Sequence, residues 1–247
     1  MPEIIKPEWN VPGVTAFTTT RAGGYSEGPW GSFNLGDHVN DDADAVAANR
    51  AALAQLLPGE TRVQWLRQVH GVDVVKAGVG GVPDADACWS DQPGEVCSVM
   101  TADCLPVLFA SRDGRVVAAA HAGSRGLLDG VLEATVAALP VAAAQIVAWM
   151  GPAIGPDAFE VGPEVRQEFL DAGDSPAAFR PGERKGHHYG DIYALGRGRL
   201  HAAGVTDISG GGLCTYTDAK RFFSYRRDGD TGRMASVICI NPRGQFT

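Results

Sequence analysis

The sequence has 247 residues, of which 45% are hydrophobic, and a formal net charge of -8 at pH 7. This length and hydrophobic content are those of a globular chain with a sizeable core, which excludes disordered and fibrous classes. The acidic balance argues against nucleic acid as a partner, because nonspecific affinity for nucleic acids comes from Lys and Arg that neutralise phosphates. A small molecule is the expected partner.

The first third of the chain predicts a strand, a long loop and a helix. Residues 14–20, VTAFTTT, are rich in β-branched and aromatic side chains and favour a strand. The glycine-rich segment RAGGYSEGPWGSFNLGD that follows is long enough for a functional loop. Asp42 or Asp44 can cap a helix that continues to about Leu57 and ends at Pro58 and Gly59.

The rest of the chain predicts a sheet surrounded by helices. We expect strands in VQWLRQVHG, VDVVKAG, VCSVMTADC, PVLFAS and RVVAAAH, with a hairpin turn at Asp113-Gly114. Helices are predicted over residues 124–139, 163–172 and 191–203, and strands over residues 145–150 and in RMASVICI. Residues 173–190 have the least pattern and predict a mobile excursion or lid. No linker or repeat is visible, so one domain is expected over residues 1–247.

Cysteine usage and the N-terminal segment predict a cytoplasmic protein. The five cysteines form an odd, irregularly spaced set, which suits a reducing compartment. The segment MPEIIKPEWNVPG lacks the basic and apolar regions of a signal peptide. The uncharged stretch 134–156 is Ala-rich and is interrupted by Pro140, Gln145, Gly151 and Pro152, so it predicts a buried helix and strand and no membrane contact.

Three residues are candidate metal ligands: His70, Cys104 and His121, in the segments QVHGVD, TADCLPV and AAAHAGSRG. Imidazole and thiolate are ligand types of zinc, and three protein ligands leave its fourth position open for water or substrate. The gaps of 34 and 17 residues match no short zinc signature, so the fold must assemble the site. Alternatively, each histidine is simply hydrogen-bonded at a strand end and Cys104 is a small buried hydrophobe.

A candidate anion site adjoins His121. A helix that begins at Ser124 would point unpaired N–H groups and a positive dipole end outward, and Arg125 adds a cation, so the turn favours an anion such as phosphate. Arg21, where the first strand opens into the glycine-rich loop, is either a solvated arginine or a further phosphate ligand. Asp103 would face away from Cys104 in a strand, which indicates a turn residue or an outer partner of the site.

Three other motifs are weaker candidates. The adjacent His187 and His188 would diverge on any regular element and predict no second metal pair. Arg226 and Arg227 are either a solvated charge pair or reach an anion. The segment GPAIGP lacks the Gly-Lys-Ser/Thr end of a phosphate-binding Walker loop.

The order of several motifs resembles the YfiH-like, laccase-domain family, long labelled polyphenol oxidases. The motifs are FTTTRAGGYSEGPWGSFNLGDHVNDD, WLRQVHGVDVV, SVMTADCLPVLFAS, AAHAGSRG, GPAIGPDAFEVG and FFSYRRDGDTGRMAS. The resemblance implies that His70, Cys104 and His121 bind zinc. It also implies an α+β fold, a four-layer α/β/β/α sandwich with a duplicated β-α-β motif, like a putative cysteine hydrolase. The family usually has Trp where this chain has Ser124, which puts base preference in doubt.

The resemblance further implies a purine nucleoside phosphorylase that acts on adenosine, inosine and S-methyl-5'-thioadenosine and also deaminates adenosine. Phosphate would bind at Arg21, Ser124 and Arg125, and His70, Cys104 and His121 would surround the purine. In deamination, Asp103 or Asp73 would carry the proton.

The sequence leaves three alternatives open. Cys104, activated by a histidine, could hydrolyse an amide in peptidoglycan precursors, since family members are linked to peptidoglycan editing. A copper-dependent polyphenol oxidase is disfavoured, because the six histidines include no His-x-His pair, although copper could occupy the same site. A purely structural zinc module is disfavoured because such sites usually have four protein ligands. A monomer is expected.

Overall fold

The computed structural model describes residues 2–242, which form a mixed α/β fold with three sheets. The strands are β1 Ile4–Ile5, β2 Val14–Thr19, β3 Arg62–Gln64, β4 Val74–Lys76, β5 Ala87–Ser90, β6 Glu95–Thr101, β7 Leu105–Ser111, β8 Val117–Ala122, β9 Ile146–Met150, β10 Glu160–Val161, β11 Phe179–Pro181, β12 His188–Gly190, β13 Asp207–Gly210 and β14 Met234–Ile240. The α-helices are α1 Ala43–Ala54, α2 Ser124–Asp129, α3 Val131–Ala138, α4 Pro163–Asp171, α5 Ile192–Ala202 and α6 Tyr225–Asp228.

Two mixed sheets pack against each other. Their strand orders are β1-β2-β14-β6-β3 and β13-β9-β7-β8-β5-β4. Side chains of β7 alternate between two clusters: Val107 and Phe109 pack with residues of α2, α3 and α5, whereas Leu108 and Ala110 pack with the other sheet. Because successive side chains of a strand point to opposite faces, both faces of β7 are buried, and the segment PVLFAS is accordingly almost wholly apolar.

Helix α1 covers the other face of the five-stranded sheet. Its N-terminus is capped by the Asp42 side chain, which accepts a hydrogen bond from Ala45 N at 2.8 Å. Leu53 is fully buried and packs in one cluster with Val237 and Cys239 of β14. The predicted helix is confirmed, and it ends at Ala54, three residues before the predicted Leu57.

The predicted strand VQWLRQVHG is confirmed only over β3. Beyond it, the side-chain amide of Gln68 donates to Met100 O at 2.8 Å and accepts from Met100 N at 2.7 Å, so a side chain takes the place of strand pairing. His70 has φ 60, a left-handed conformation that no strand contains. The prediction of a strand through residue 71 is therefore wrong.

The predicted helix over residues 124–139 is two helices. Gly130 lies between α2 and α3 with φ 99, and its N–H donates to the carbonyls of Gly126 and Leu127. Glycine adopts this left-handed conformation without steric penalty, and it ends a helix efficiently. The sequence-based prediction missed this break.

The segment over residues 173–190 is not the unpatterned excursion that the sequence predicts. Strands β10, β12 and β11 pair antiparallel as a small sheet. Ser175 caps the short helical turn that precedes β11, and its side chain accepts from Ala177 N. Strands of two to four residues are too short for periodicity to reveal them, and β5 and β13, with four residues each, were missed for the same reason.

The uncharged stretch over residues 134–156 contains the end of α3 and the buried strand β9. Within residues 2–242, no helix has both the length and the apolar content required to cross a bilayer.

Candidate metal centre

His70, Cys104 and His121 are brought together where the two large sheets meet. Cys104 lies in the turn between β6 of one sheet and β7 of the other, His121 lies near the end of β8, and His70 lies in the loop before β4. The potential ligand atoms all lie within 4.8 Å of one another, and His70 Nε2 is 3.9 Å from Cys104 Sγ. The predicted ligand set is thus one cluster, in which His121 is buried, Cys104 half-buried and His70 exposed.

The buried carboxylate of Asp86 organises two of the three residues. Its Oδ1 accepts from His121 Nδ1 at 2.8 Å, and its oxygens also accept the backbone N–H groups of Val69, His70 and Gly71 at 2.7 to 3.1 Å. Asp86 is fully buried. Burial opposes its ionisation, but the hydrogen bonds from His121 and the loop backbone lower the pKa of the carboxyl. Because Nδ1 of His121 is committed to Asp86, its Nε2 remains for a metal.

Two glycines of the AGSRG turn permit the close packing of the cluster. A Cβ on Gly123 would lie 2.8 Å from His70 Cδ2 and 3.0 Å from Cys104 Sγ, and a Cβ on Gly126 would lie 2.9 Å from Gly71 O. Neither position has room for a side chain. The expectation that small residues after His121 allow another group to approach the backbone is therefore consistent with the structure.

The surroundings of Cys104 and His121 lower the pKa of the thiol and raise the pKa of the imidazole. Burial opposes ionisation of Cys104, but the charge of His121 and hydrogen bonds from both imidazoles lower the pKa of its thiol to about 6. Burial also disfavours the charged form of His121, yet Cys104 and Asp86 raise the pKa of the imidazole to about 9. A ready thiolate, two imidazoles and a carboxylate behind one of them fit the donor set of a zinc site with one open position.

Two cavities meet at Cys104. The larger, of about 790 Å³, is lined by His70, His121, Tyr225 and Arg233 among others. The smaller, of about 230 Å³, shares Ala102, Cys104 and Tyr225 with the larger one. The rest of its lining is Ile154, Phe159 and Ile192, with Asp103, Ser124 and Arg226 as polar residues. Cys104 therefore borders both cavities, whereas His70 and His121 line the larger one.

The sequence-based phosphate candidates lie in different surroundings. Ser124 lines the smaller cavity. Arg125 is exposed and pairs with Asp129 at 2.9 Å and Glu168 at 3.6 Å. The guanidinium of Arg21 donates to the backbone carbonyls of Gly31 and Ala219. Within residues 2–242, neither arginine is among the residues that line the two cavities.

The two proposed proton carriers, Asp103 and Asp73, differ in burial and in whether they line a cavity. Asp103 is buried, with φ 100, and accepts hydrogen bonds from Thr215 Oγ1 at 2.6 Å and Arg226 N at 2.7 Å. It lines the smaller cavity, whereas Asp73 is exposed and lines neither cavity within residues 2–242. Asp103 is thus the turn residue that one sequence-based interpretation expected.

The remaining charged motifs are part of the structure around the site. Arg226 donates from Nη1 to Glu160 O and lines the smaller cavity, and Arg227 donates to the carbonyls of Thr215, Tyr216 and Phe222. Arg227 is therefore anchored by the backbone around it, whereas Arg226 is exposed. Across residues 2–242, the cluster around Cys104 is the one group of three potential metal ligands, and it includes neither His187 nor His188.

Sequence analysis missed Asp86, Arg233 and Tyr225. Asp86 interrupts the apolar run Ala85–Cys88 just before and within β5, and a charged residue in such a run requires a buried partner. This charged residue within an apolar run could therefore have indicated Asp86 from the sequence. Tyr225, the first residue of α6, and Arg233, the residue before β14, line the same cavity as Cys104, and no local pattern reveals that approach.

Residues 15–241 match the family model described as multi-copper polyphenol oxidoreductase laccase. A purine nucleoside phosphorylase of Pseudomonas aeruginosa is 53% identical over 238 residues, which cover 96% of this chain and 98% of that protein. The purine nucleoside phosphorylase YfiH of Escherichia coli is 51% identical over 247 residues, which cover 97% of this chain and 100% of that protein.

Two solved structures have the same fold. A protein of Neisseria meningitidis, assigned to the family DUF152, superposes with a TM-score of 0.91 at 46% sequence identity, covering 97% of this chain and 99% of that one. YlmD of Geobacillus stearothermophilus superposes with a TM-score of 0.88 at 34% identity, covering 94% and 93% of the two chains.

Proposed function

The chain belongs to the YfiH laccase-domain family, whose model matches residues 15–241, and from that membership we propose that it is a zinc-dependent purine nucleoside phosphorylase. The proposed substrates are adenosine, inosine and S-methyl-5'-thioadenosine, with inorganic phosphate as the second substrate. The observation that carries the proposal is the His70, Cys104 and His121 cluster, which has room for a metal with an open position and faces a cavity of about 790 Å³.

In phosphorolysis, a phosphate oxygen forms a bond to C1′ of the ribose while the bond from C1′ to N9 of the purine breaks. The electron pair of that bond leaves with the purine, which takes up a proton. When bound, zinc supplies a fixed positive charge close to the reacting groups. Asp86 holds the ring of His121 and the backbone at His70, so the ligand set is oriented before substrate binds. Ser124, Arg125 and Arg21 remain the sequence-based phosphate candidates, and Ser124 lines the smaller cavity.

We also propose adenosine deaminase activity at the same site, in which water replaces the amino group at C6 and ammonia leaves. This reaction needs a group that moves protons. Asp103 is the candidate that lines a cavity, but both of its oxygens already accept hydrogen bonds. Asp73 is exposed and, within residues 2–242, lines neither cavity.

A Cys-His hydrolase is the second candidate function, and one observation favours it. Asp86, His121 and Cys104 have the order of a carboxylate, an imidazole and a thiolate, and the pKa of Cys104 is lowered to about 6. An amide of a peptidoglycan precursor would be the substrate. The related fold proposal, a four-layer α/β/β/α sandwich with a duplicated β-α-β motif, is supported by the separate clusters on the two faces of the large sheets.

Copper could occupy the same ligands, because copper binds nitrogen and sulfur donors more tightly than zinc does. A coupled multi-copper oxidase requires many more imidazoles. Over residues 2–242, the one cluster of three ligands offers two imidazoles and one sulfur. We therefore propose zinc as the working metal and expect little or no phenol oxidation by the zinc-loaded protein.

Nucleoside turnover with and without phosphate tests the proposal. Protein purified without added metal is analysed for zinc and then incubated with each nucleoside, and the products are separated by chromatography. Free base and ribose 1-phosphate should form from adenosine only when phosphate is present, whereas inosine should form without it. Cys104→Ala should lose both zinc and turnover. A Cys104→Ala protein with full zinc content and full phosphorolysis would disprove the assignment.

A further inference from the structure

Most of the charged residues around the larger cavity are neutralised by a partner. Asp37 pairs with Arg50 at 3.2 Å, and Arg67 forms a two-pronged ion pair with Asp84. Arg233 differs: among residues 2–242, no carboxylate lies within salt-bridge distance of its guanidinium. The cavity beside the metal cluster therefore contains one cation without a counterion in the described part of the chain.

The backbone and one edge of Arg233 are held firmly. Arg233 N donates to Asn34 Oδ1 at 2.8 Å, and Nη1 donates to the carbonyls of Thr231 and Gly232 at 2.9 and 3.1 Å. A Cβ on Gly36 would lie 2.9 Å from Arg233 Cγ, so Gly36 leaves room for the arginine stem. These contacts fix the position of the guanidinium at the cavity wall.

The other edge of the guanidinium is unused. Within residues 2–242, Nε and Nη2 of Arg233 donate to no protein acceptor. Neither nitrogen is among the buried polar atoms that lack a hydrogen-bond partner, so both retain some solvent exposure. The residue lines the cavity with His70, Cys104 and His121. Burial lowers the pKa of Arg233, and the nearby Cys104 and Asp103 offset only part of that effect. A partly desolvated guanidinium with a free edge is suited to a tetrahedral oxyanion, which can accept two parallel hydrogen bonds.

We propose that Arg233, rather than Arg21 or Arg125, is the cation that binds the phosphate substrate. This inference rests on the proposed phosphorylase function and names the phosphate side of its site. Arg21 is occupied by backbone carbonyls and Arg125 by two carboxylates, whereas Arg233 offers Nε and Nη2 beside the ligand cluster. Phosphate held there would adjoin the metal cluster, where the nucleoside must place C1′ for attack.

The test compares Arg233→Gln with Arg197→Gln as a matched control. Arg197 also donates to backbone carbonyls, those of Ile208 and Gly210, but it lines a different cleft. Calorimetric titration of the zinc-loaded proteins with inorganic phosphate gives Kd, and phosphorolysis of adenosine gives KM for each substrate. Arg233→Gln should raise the Kd and the KM for phosphate at least about tenfold, while the KM for adenosine stays within about twofold. Arg197→Gln should behave as wild type.

Further variants keep the two hypotheses separate. Arg233→Lys retains the charge without the forked geometry, so its Kd for phosphate should lie between those of wild type and Arg233→Gln. If the glutamine variant does not fold, the lysine variant still tests the proposal. Unchanged phosphate Kd in any folded Arg233 variant, or a loss confined to Arg21→Gln or Arg125→Gln, would overturn the proposal. Calorimetry measures phosphate binding without turnover. If the wild-type protein binds phosphate through Arg233 but does not phosphorolyse nucleosides, the proposed function is contradicted and the inference on Arg233 is not. Wild type that binds no phosphate would contradict the inference on Arg233.

Discussion

His121 donates a hydrogen bond from Nδ1 to the carboxylate of Asp86 across 2.8 Å, and its backbone N–H donates to Asp86 O across 2.7 Å. The same carboxylate accepts the backbone N–H of His70. His70 has φ 60, which is unfavourable for a residue with a side chain, so the hydrogen bonds to Asp86 help to offset that conformational cost. One buried group therefore positions two candidate ligands that are far apart in sequence.

Replacement of Asp86 should weaken metal binding. Asp86→Asn retains one acceptor oxygen but turns an NH₂ group toward backbone donors, so both the His121 ring and the loop at His70 lose orientation. We expect zinc affinity to fall about 10- to 100-fold, as is typical when the partner behind a ligand is lost. Competition with a chromophoric chelator measures the affinity. Asp113→Asn, in the exposed hairpin turn, is the control, and equal affinities in both variants would contradict this role of Asp86.

Gly123→Ala tests whether the cluster needs a bare backbone. Gly123 has φ -64 and ψ 163, which alanine adopts freely, so the effect is purely steric. The added Cβ would lie 2.8 Å from His70 Cδ2 and 3.0 Å from Cys104 Sγ, and we expect zinc content to drop while the circular dichroism of the fold is preserved. Gly198→Ala in α5 is the matched control. No atom lies within 4 Å of its added Cβ, so it should keep zinc and gain about 1 kcal/mol in stability.

The three candidate ligands could be proposed from sequence because imidazole and thiolate are ligand types of zinc, although gaps of 34 and 17 residues left their assembly to the fold. Small residues stand beside each of the three: His70, Cys104 and His121. A Cβ on Gly123 would collide with His70 and Cys104, which shows that the packing of the cluster requires a small residue there. The family match and the relatives named purine nucleoside phosphorylase confirm the resemblance. The specific substrates, the zinc dependence and the deaminase activity remain predictions.

The rest of the site depends on contacts that no local pattern reveals. Asp86 meets His121 because β5 pairs antiparallel with β8, with Ala87 opposite Ala120, and a four-residue strand carries little periodic signal. Arg21 is prominent in sequence, yet the carbonyl of Gly31 occupies its guanidinium. Arg233 is inconspicuous in sequence and reaches the cavity through the tertiary fold.

The reactivity of Cys104 should depend on pH with a midpoint near 6 in metal-free protein. Its pKa is lowered to about 6, so the thiolate is present above that pH and is lost as the pH falls through it. Alkylation by iodoacetamide, followed by mass spectrometry of the modified peptide, should therefore be about ten times faster at pH 7 than at pH 5. Cys239, whose pKa burial raises to about 12, should remain unmodified.

Zinc and a second variant provide the controls for this profile. Zinc should protect Cys104 from alkylation, because the metal and the reagent compete for one sulfur. Cys104→Ser should remove the fast reaction altogether. A midpoint close to the ordinary thiol value of 9.0 would show that the pairing with His121 is absent in solution.

Asp103 should act by positioning Thr215 and Arg226, of which Arg226 lines the smaller cavity. Its oxygens accept from Thr215 Oγ1 and from Arg226 N, and its φ of 100 is one that asparagine tolerates, so Asp103→Asn keeps the turn. If Asp103 only positions these groups, Asp103→Asn and Thr215→Val should lower adenosine turnover by similar factors, of about 3 to 30, since each removes one buried hydrogen bond. The pH profile of kcat should then be the same as in wild type.

A proton carrier would give a different pattern. Asp103→Asn alone would lose about 100-fold or more in deamination, and Thr215→Val would stay near wild type. Thr135→Val is the matched control, because the Thr135 hydroxyl is also buried and donates to a carbonyl, that of Val131 in α3. Turnover of adenosine by the three variants, measured across pH with and without phosphate, decides between the two roles. Since both Asp103 oxygens already accept hydrogen bonds, the positioning role is the one we expect.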